Sequence, residues 1–268
     1  MPLTNLRRFV GRTVILAGSG RGIGEATARR FAAEGADVML VSRTQGEIDA
    51  VAEEIAAAGG SAWAYAADVS DAVAVDGAVV AAQARWGHID VLVNCAGIDH
   101  DCPFLEFPDE EWNRVVAVNL TGAFLMAQRV ARVMATTGGG AVVHISSIDA
   151  YGADGNQVAY NASKSGMLGL NRTMATELAH RGIRSNIVAP GYTATPLTRQ
   201  YVGEVMYEHM MSEFARIPQR RMATPEEIAA AILFLASDDA AAITGTELIV
   251  DGGTLANLYV VETLPASE

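Results

Sequence analysis

Seven short runs of β-prone residues recur along the chain, and most are apolar at successive positions rather than at alternate ones. They are TVILAG (13–18), DVMLVS (37–42), SAWAYAADV (61–69), IDVLVNCAG (89–97), GGGAVVHISS (138–147), IRSNIVAPG (183–191) and TGTELIVDGG (244–253). A strand that is apolar on both faces must be covered on both faces. An all-parallel sheet with helical crossovers does this. The segments between the runs read as those crossovers. In 46–60 Ile48, Val51 and Ile55 fall on one helical face, and 25–35, 71–87, 114–135 and a stretch opening near 159 also read as helices. At 224–237 Thr224 is placed as an N-cap, with Pro225 at the first helical position and acids in the first turn. The expected architecture is α/β: one doubly wound domain over 1–268, a seven-stranded parallel sheet with helices on both faces.

Composition narrows the function classes. Of 268 residues, 19 are basic and 31 acidic, a formal charge of −12, which argues against a nucleic-acid surface because that needs a basic stripe. Two cysteines, Cys95 and Cys102, make no disulfide framework. The N-terminal stretch lacks an apolar signal core, and no apolar run approaches the roughly 20 residues that span a bilayer. These features predict a cytoplasmic chain with no membrane partner. His88, His100, His144, His180 and His209 are scattered without ligand spacing, so no metal site is expected.

Two short motifs carry chemistry. AGSGRGIGEAT (17–27) places Gly18, Gly22 and Gly24 between the first strand and the first helix. There a backbone bare of side chains can approach a pyrophosphate on the helix N-terminus. AYNASK (159–164) sets Tyr160 and Lys164 four residues apart, on one face of a helix. A phenol of ordinary pKa near 10 is a poor acid–base group at neutral pH. A neighbouring ammonium, with the charge of an oxidised nicotinamide, is expected to pull it down.

The glycine spacing G-x-x-x-G-x-G, together with NCAG (94–97), VNLTG (118–122), ISS (145–147), YNASK (160–164), PG (190–191) and ITGTELIVDGG (243–253), resembles the classical short-chain dehydrogenase/reductase family over nearly the whole length. The resemblance implies a Rossmann-type fold and direct hydride transfer between a nicotinamide and a secondary alcohol or its ketone. It implies a catalytic set of Asn119, Ser147, Tyr160 and Lys164. In that set Tyr160 is the acid/base and Ser147 holds the substrate oxygen. Lys164 biases the phenol and holds the nicotinamide ribose, and Asn119 completes a proton relay. Ser146 is read as structural.

For the cofactor the resemblance implicates Gly18, Ser19, Arg21, Gly22, Ile23 and Gly24 in the turn, and Ser42, Arg43 and Thr44 after the second strand. Asp68 and Val69 flank the adenine, while Asn94, Ala96 and Gly97 line the ribose side. Pro190, Gly191, Thr193 and Thr195 meet the nicotinamide end, with Tyr160 and Lys164. NAD-selective relatives carry an acid at the end of the second strand. Here Ser42, Arg43 and Thr44 stand there with Arg21 nearby, a set suited to a 2′-phosphate. NADP(H) is therefore the preferred expectation and NAD(H) the alternative.

The chain departs from the family pattern at Ala17, where threonine is usual, at Cys95, where asparagine is usual, and at Thr193, where an aliphatic residue is usual. Segment 192–224 occupies the family's substrate lid. Met206, Tyr207, Met210, Met211 and Phe214 suit either an adaptable apolar pocket or a core or oligomer face. Ser147, Asp149, Tyr151, Tyr192 and His100 are candidate substrate contacts. The substrate expectation is a hydrophobic or cyclic secondary alcohol and its ketone, with a 3-oxoacyl thioester on acyl carrier protein as the alternative. A net charge of −12 weighs against an acidic carrier. A non-catalytic nucleotide sensor would be expected to lack the tyrosine or lysine, and a sugar-nucleotide epimerase would need a larger substrate domain. Relatives are mostly homotetramers, which is the assembly expected, and the tail 254–268 is expected to be ordered at its start and loose at its end.

Overall fold

The computed structural model describes residues 6–257. Its seven strands are β1 (Thr13–Ala17), β2 (Asp37–Ser42), β3 (Ser61–Ala66), β4 (Val91–Asn94), β5 (Gly140–Ile145), β6 (Ile183–Pro190) and β7 (Glu247–Val250). They form one sheet in the order β3-β2-β1-β4-β5-β6-β7. Every pairing is parallel. The expected α/β class and doubly wound Rossmann-type sheet are therefore present. The helices are α1 (Gly22–Ala33), α2 (Gln45–Ala57), α3 (Ala72–Trp86), α4 (Asp109–Val116), α5 (Gly122–Thr137), α6 (Val158–Leu178), α7 (Pro196–Val202), α8 (Glu204–Ser212) and α9 (Pro225–Ala236). Most of the tail singled out above, from 258 onward, lies outside the described residues.

The unbroken apolar strands divide by side-chain alternation into two cores. Val14 and Leu16 pack with Val38, Leu40 and Val93 beneath α1, α2 and α9. Ile15 and Ala17 face the other way, with Met39, Val41 and Leu92, beneath α3 and α5. Register enforces the split, since Ile15 stands opposite Met39 and Leu92 while Leu16 stands opposite Leu40 and Val93. All five β1 residues are buried.

The sequence-predicted helix over 114–135 is interrupted. Between α4 and α5, residues Ala117–Thr121 wind as a π turn, the kind of bulge that recurs at functional sites. The segment 192–224 is more regular than expected and contributes α7 and α8. Tyr207 and Met210 are buried there with Ile217 and Met222, against Tyr192, Val202 and Phe214, while Met206 and Met211 are exposed. Tyr207, Met210 and Phe214 thus follow the core-face reading of the two offered above, while Met206 and Met211 stay on the surface.

Helix α9 begins as predicted. Thr224 Oγ1 accepts from the Glu227 backbone N–H at 3.3 Å, and a Glu227 carboxylate oxygen accepts from the Thr224 N–H at 2.9 Å, a complete capping box. Arg221 grips the same carboxylate at 2.7 and 2.8 Å, and together with the Thr224 N–H it holds Glu227 down at about 2. Thr224→Ala removes an acceptor for an otherwise orphaned N–H. It is expected to lower unfolding stability by about 1 kcal/mol, read as a smaller urea midpoint at unchanged m.

Candidate active site

The chain runs from β1 outward to β3 and then returns to β4 on the other side of β1. This leaves a crevice at the carboxyl ends of β1 and β4, where doubly wound sheets bind ligands. Gly18 closes β1 at φ +83, and a Cβ there would come within 2.5 Å of the Ala96 backbone nitrogen. The two loops can approach this closely only if that residue is glycine. Helix α1 follows, with Arg21 at its N-cap making no side-chain cap bond, so its first N–H groups are left to the crevice.

A cavity of about 300 Å³ runs along this line. It is walled at one end by Gly20, Arg21, Ser42, Arg43 and Thr44, and at the other by Ser147, Tyr160, Lys164 and Gly191. Gly22, Ile23, Gly24, Asp68, Val69, Ala96, Gly97, Pro190, Thr193 and Thr195 complete the predicted part of the wall. Thr195 caps α7 by accepting from Thr198 N–H at 3.2 Å. Its methyl lies 3.4 Å from where a Gly22 Cβ would sit, which brings the lid against the glycine turn.

At the far end β5 delivers Ser146 and Ser147. Ser146 Oγ donates to the Lys164 carbonyl at 2.9 Å and fastens α6 to the strand, in keeping with its structural reading. Lys164 Nζ donates to the Ile145 carbonyl at 2.8 Å and lies 5.3 Å from the Tyr160 ring centre. Its side chain is buried, and desolvation pushes the ammonium down to about 8, opposed by the Asp149 and Asp99 charges. Cys95 itself is pushed up to about 12 by burial and stays a neutral thiol.

Asn119 sits on the π turn, fully buried. Its Oδ1 accepts from Ile98 N–H at 2.9 Å, and its Nδ2 donates to the Ile98 carbonyl at 2.9 Å and to Ser163 Oγ at 3.1 Å. Asn119 Oδ1 and Lys164 Nζ both face Gly97, whose absent side chain leaves the space between them open.

Ser147 Oγ donates to Asp149 at 2.9 Å and accepts from the Asp149 N–H at 3.1 Å. The phenol of Tyr160 is held well above its ordinary value, by burial first and by the Asp149 charge second, with the nearby Ser147 hydroxyl opposing. Lys164 alone therefore does not lower it, contrary to half of the expectation above. The nicotinamide charge was the other half.

Beyond Ser147 and Tyr160 a second cavity of about 90 Å³ opens. The candidate substrate contacts Asp149 and Tyr192 line it, joined by Asp99, Asp154, Gln157 and Tyr201. No helix among the described residues is long and apolar enough to cross a membrane, and no cluster of potential metal ligands occurs among them.

The family model described as enoyl-(acyl carrier protein) reductase matches residues 17–254. The chain belongs to the classical short-chain dehydrogenase/reductase family. Within it, the chain is 41% identical over 242 residues to the short-chain reductase protein NovJ of Streptomyces niveus, covering 89% of this chain and 92% of that one. It is 38% identical over 246 residues to a 3-oxoacyl-[acyl-carrier-protein] reductase of Thermotoga maritima, covering 92% and 98%. Among solved structures, a Beutenbergia cavernae chain assigned as an NAD(P)-dependent gluconate 5-dehydrogenase, with bound NADP at low occupancy, superposes with a TM-score of 0.88. It has 38% sequence identity, and the match covers 94% of this chain and 100% of that one.

Four of the predicted residues, two cofactor and two substrate candidates, point elsewhere. Ser19 is fully buried and its hydroxyl turns to the Val41 carbonyl, so it braces the glycine turn. Asn94 donates to the Ala123 carbonyl at 3.1 Å and meets His144 Nδ1 at 3.2 Å, tying β4 to its neighbours behind the cavity wall. His100 stacks edge-on against Phe107 and faces Glu111 at 3.4 Å. Tyr151 donates to Glu247 at 2.8 Å. None of the four lines either cavity.

Several wall residues had no sequence signal. Glu47, in the first turn of α2, brings its carboxylate within 2.7 Å of a Cβ built on Gly20 and so stands at the glycine-turn end of the crevice. Asp99, Asp154, Gln157 and Tyr201 come from three separate segments and meet only through the fold.

Proposed function

We propose that this family member is an NADP(H)-dependent oxidoreductase that interconverts a small secondary alcohol and its ketone. The observation that carries the reading is the meeting of Ser147, Tyr160 and Lys164 at the end of a crevice whose other end is a side-chain-free glycine turn. The crevice fits a dinucleotide. Its walls are backbone and small residues at the pyrophosphate position, with guanidinium and hydroxyl groups at the adenosine end. When bound, that cofactor supplies or accepts the hydride.

The remaining chemistry belongs to the chain. Ser147 and Tyr160 share the substrate oxygen by hydrogen bonds, and Tyr160 gives or takes its proton. Lys164, anchored on the Ile145 carbonyl, keeps a positive charge one helical turn from the phenol and reaches the ribose hydroxyls. Asn119 fixes the loop at Ile98 and borders the open space over Gly97, through which a proton can pass to Lys164.

Arg21, Ser42, Arg43 and Thr44 support NADP(H). Thr44 makes no capping bond, so its hydroxyl is free for a phosphate. Arg43 lies 3.8 Å from Asp68 and is exposed, placed to swing from that weak pair to a 2′-phosphate. Glu47 favours the second reading, NAD(H), because its carboxylate would repel an added phosphate. The 3-oxoacyl thioester alternative draws on the Thermotoga relative and is weakened by the acidic second cavity. In family terms a homotetramer is the proposed assembly.

A parallel screen of secondary alcohols and ketones with NADPH and NADH tests the reading. Activity is expected with NADPH above NADH, and Tyr160→Phe is expected to lose about 10²–10⁴ in kcat while nucleotide binding persists. Activity with NADH alone would refute the Arg43 argument, and full turnover by the phenylalanine variant would refute the assigned chemistry.

The Asp149 charge yields a pH prediction. It opposes ionisation of Tyr160, so removing it makes the phenolate easier to form. Asp149→Asn is expected to move the rising limb of the alcohol-oxidation pH profile to lower pH. A limb that stays in place, or moves to higher pH, contradicts the coupling.

A further inference from the structure

The cavity next to Ser147 and Tyr160 is walled by three carboxylates, those of Asp99, Asp149 and Asp154, and by the Gln157 amide. Asp99 takes hydrogen bonds from the Gln157 amide and the His100 N–H, leaving further lone pairs on its carboxylate. Asp149 receives the Ser147 hydroxyl. Asp154 is met by the Tyr192 hydroxyl at 2.8 Å and Arg216 at 3.1 Å. Gln157, only 6% exposed, gives one of its two amide N–H groups to Asp99, and its amide oxygen has no hydrogen-bond partner among the described residues. Of the tyrosines on the wall, Tyr192 has already directed its proton at Asp154.

We propose, resting on the alcohol–ketone reading above, that this cavity selects an uncharged polyhydroxylated substrate. Such a substrate turns the hydroxyls beside its reacting carbon toward Asp99, Asp149 and the Gln157 amide oxygen. A substrate that fills this cavity takes water away from these acceptors, which is costly unless it brings donors of its own, and neighbouring hydroxyls on a carbon chain supply donors at the right density. An acyl thioester brings carbonyl acceptors to the same wall and leaves both sides unpaired. A carboxylate substrate meets Asp99 and Asp149 as like charges, and burial already raises the pKa of both acids. An ammonium on the substrate would suit the acids, but it would sit close to the Lys164 ammonium and the positive ring of an oxidised nicotinamide. The hydroxyl-rich neutral molecule is the one that satisfies the wall without opposing the reacting centre.

The test holds the carbon skeleton constant: 2-butanol, 2,3-butanediol, threitol and 3-amino-2-butanol, each assayed with NADP and NAD. In the wild-type protein kcat/KM is expected to climb from 2-butanol to the diol to threitol by about tenfold or more at each step. A site built around substrate hydroxyls discriminates strongly against analogues that lack them. Gln157→Leu is expected to narrow the threitol to 2-butanol ratio by about tenfold, chiefly through KM. Asp99→Asn is the second variant should the first fail to fold. Equal use of 2-butanol and threitol overturns the proposal, as does a preference for the amino alcohol over the diol. Turnover of 2-butanol without threitol overturns the polyol inference and leaves the alcohol–ketone reading standing, whereas inactivity on every alcohol with both cofactors sinks the two together.

Discussion

The arrangement depends on one close approach, that of the backbone after β1 to the backbone after β4. Gly18 and Ala96 are so near that even a methyl group on the first would strike the second. Neither loop can rise between the strands, and the crevice therefore runs unbroken from the start of α1 to the end of β5. Two fully covered core layers hold the strands that feed it. In β1, successive side chains enter opposite cores, so a slip of one register would exchange the contents of both. The rigidity of the crevice is thus a property of sheet packing, and its openness a property of one glycine.

The reacting end is built by a second kind of constraint, the burial of a cation. Taking the Lys164 ammonium out of water is costly unless it is paired and hydrogen-bonded. The chain meets that cost with the Ile145 carbonyl and with carboxylates at a distance. Ser146 pins the carbonyl of the same lysine, so α6 and β5 are joined at both ends of one residue. Tyr160 takes its position from this anchorage, one turn earlier on the same helix. Asn119 serves the opposite loop. Its three hydrogen bonds fasten Ile98 and Ser163, and the π turn is what presents an asparagine side chain at that angle without breaking the helical run.

What was legible in the sequence divides along physical lines. The strands were legible because burial on both faces leaves an unbroken apolar signature, and α9 because its capping box is local. Tyr160, Lys164, Ser147 and the glycine turn were legible because their spacing carries chemistry. Ser19 and Asn94 misled because a family position says where a backbone passes, not where a side chain turns. The methionine-rich lid was ambiguous for a related reason: composition cannot distinguish an apolar wall from an apolar interior, and Tyr207 and Met210 chose the interior. Asp99, Asp154, Gln157 and Tyr201 were illegible because a pocket wall gathered from separate segments has no period and no motif. Glu47 was hidden in the same way, since an acid in the first turn of a helix has an ordinary reason to be there.

The acids along the wall shape the electrostatics of the crevice. Arg43 and Arg21 oppose Glu47 at the glycine-turn end, and Lys164 opposes Asp99 and Asp149 at the reacting end. Each end therefore carries both signs. Under the proposed reaction this matters most for Tyr160. With burial and Asp149 both disfavouring phenolate, the phenol of the empty crevice keeps its proton, the form that can be given to a carbonyl oxygen. Lys164, lowered to about 8, lies within reach of replacing it. Running the other way requires a phenolate, and the positive charge of an oxidised nicotinamide would arrive with the cofactor that this direction needs. On the proposed reading, the same acids that would face substrate hydroxyls also disfavour the Tyr160 phenolate.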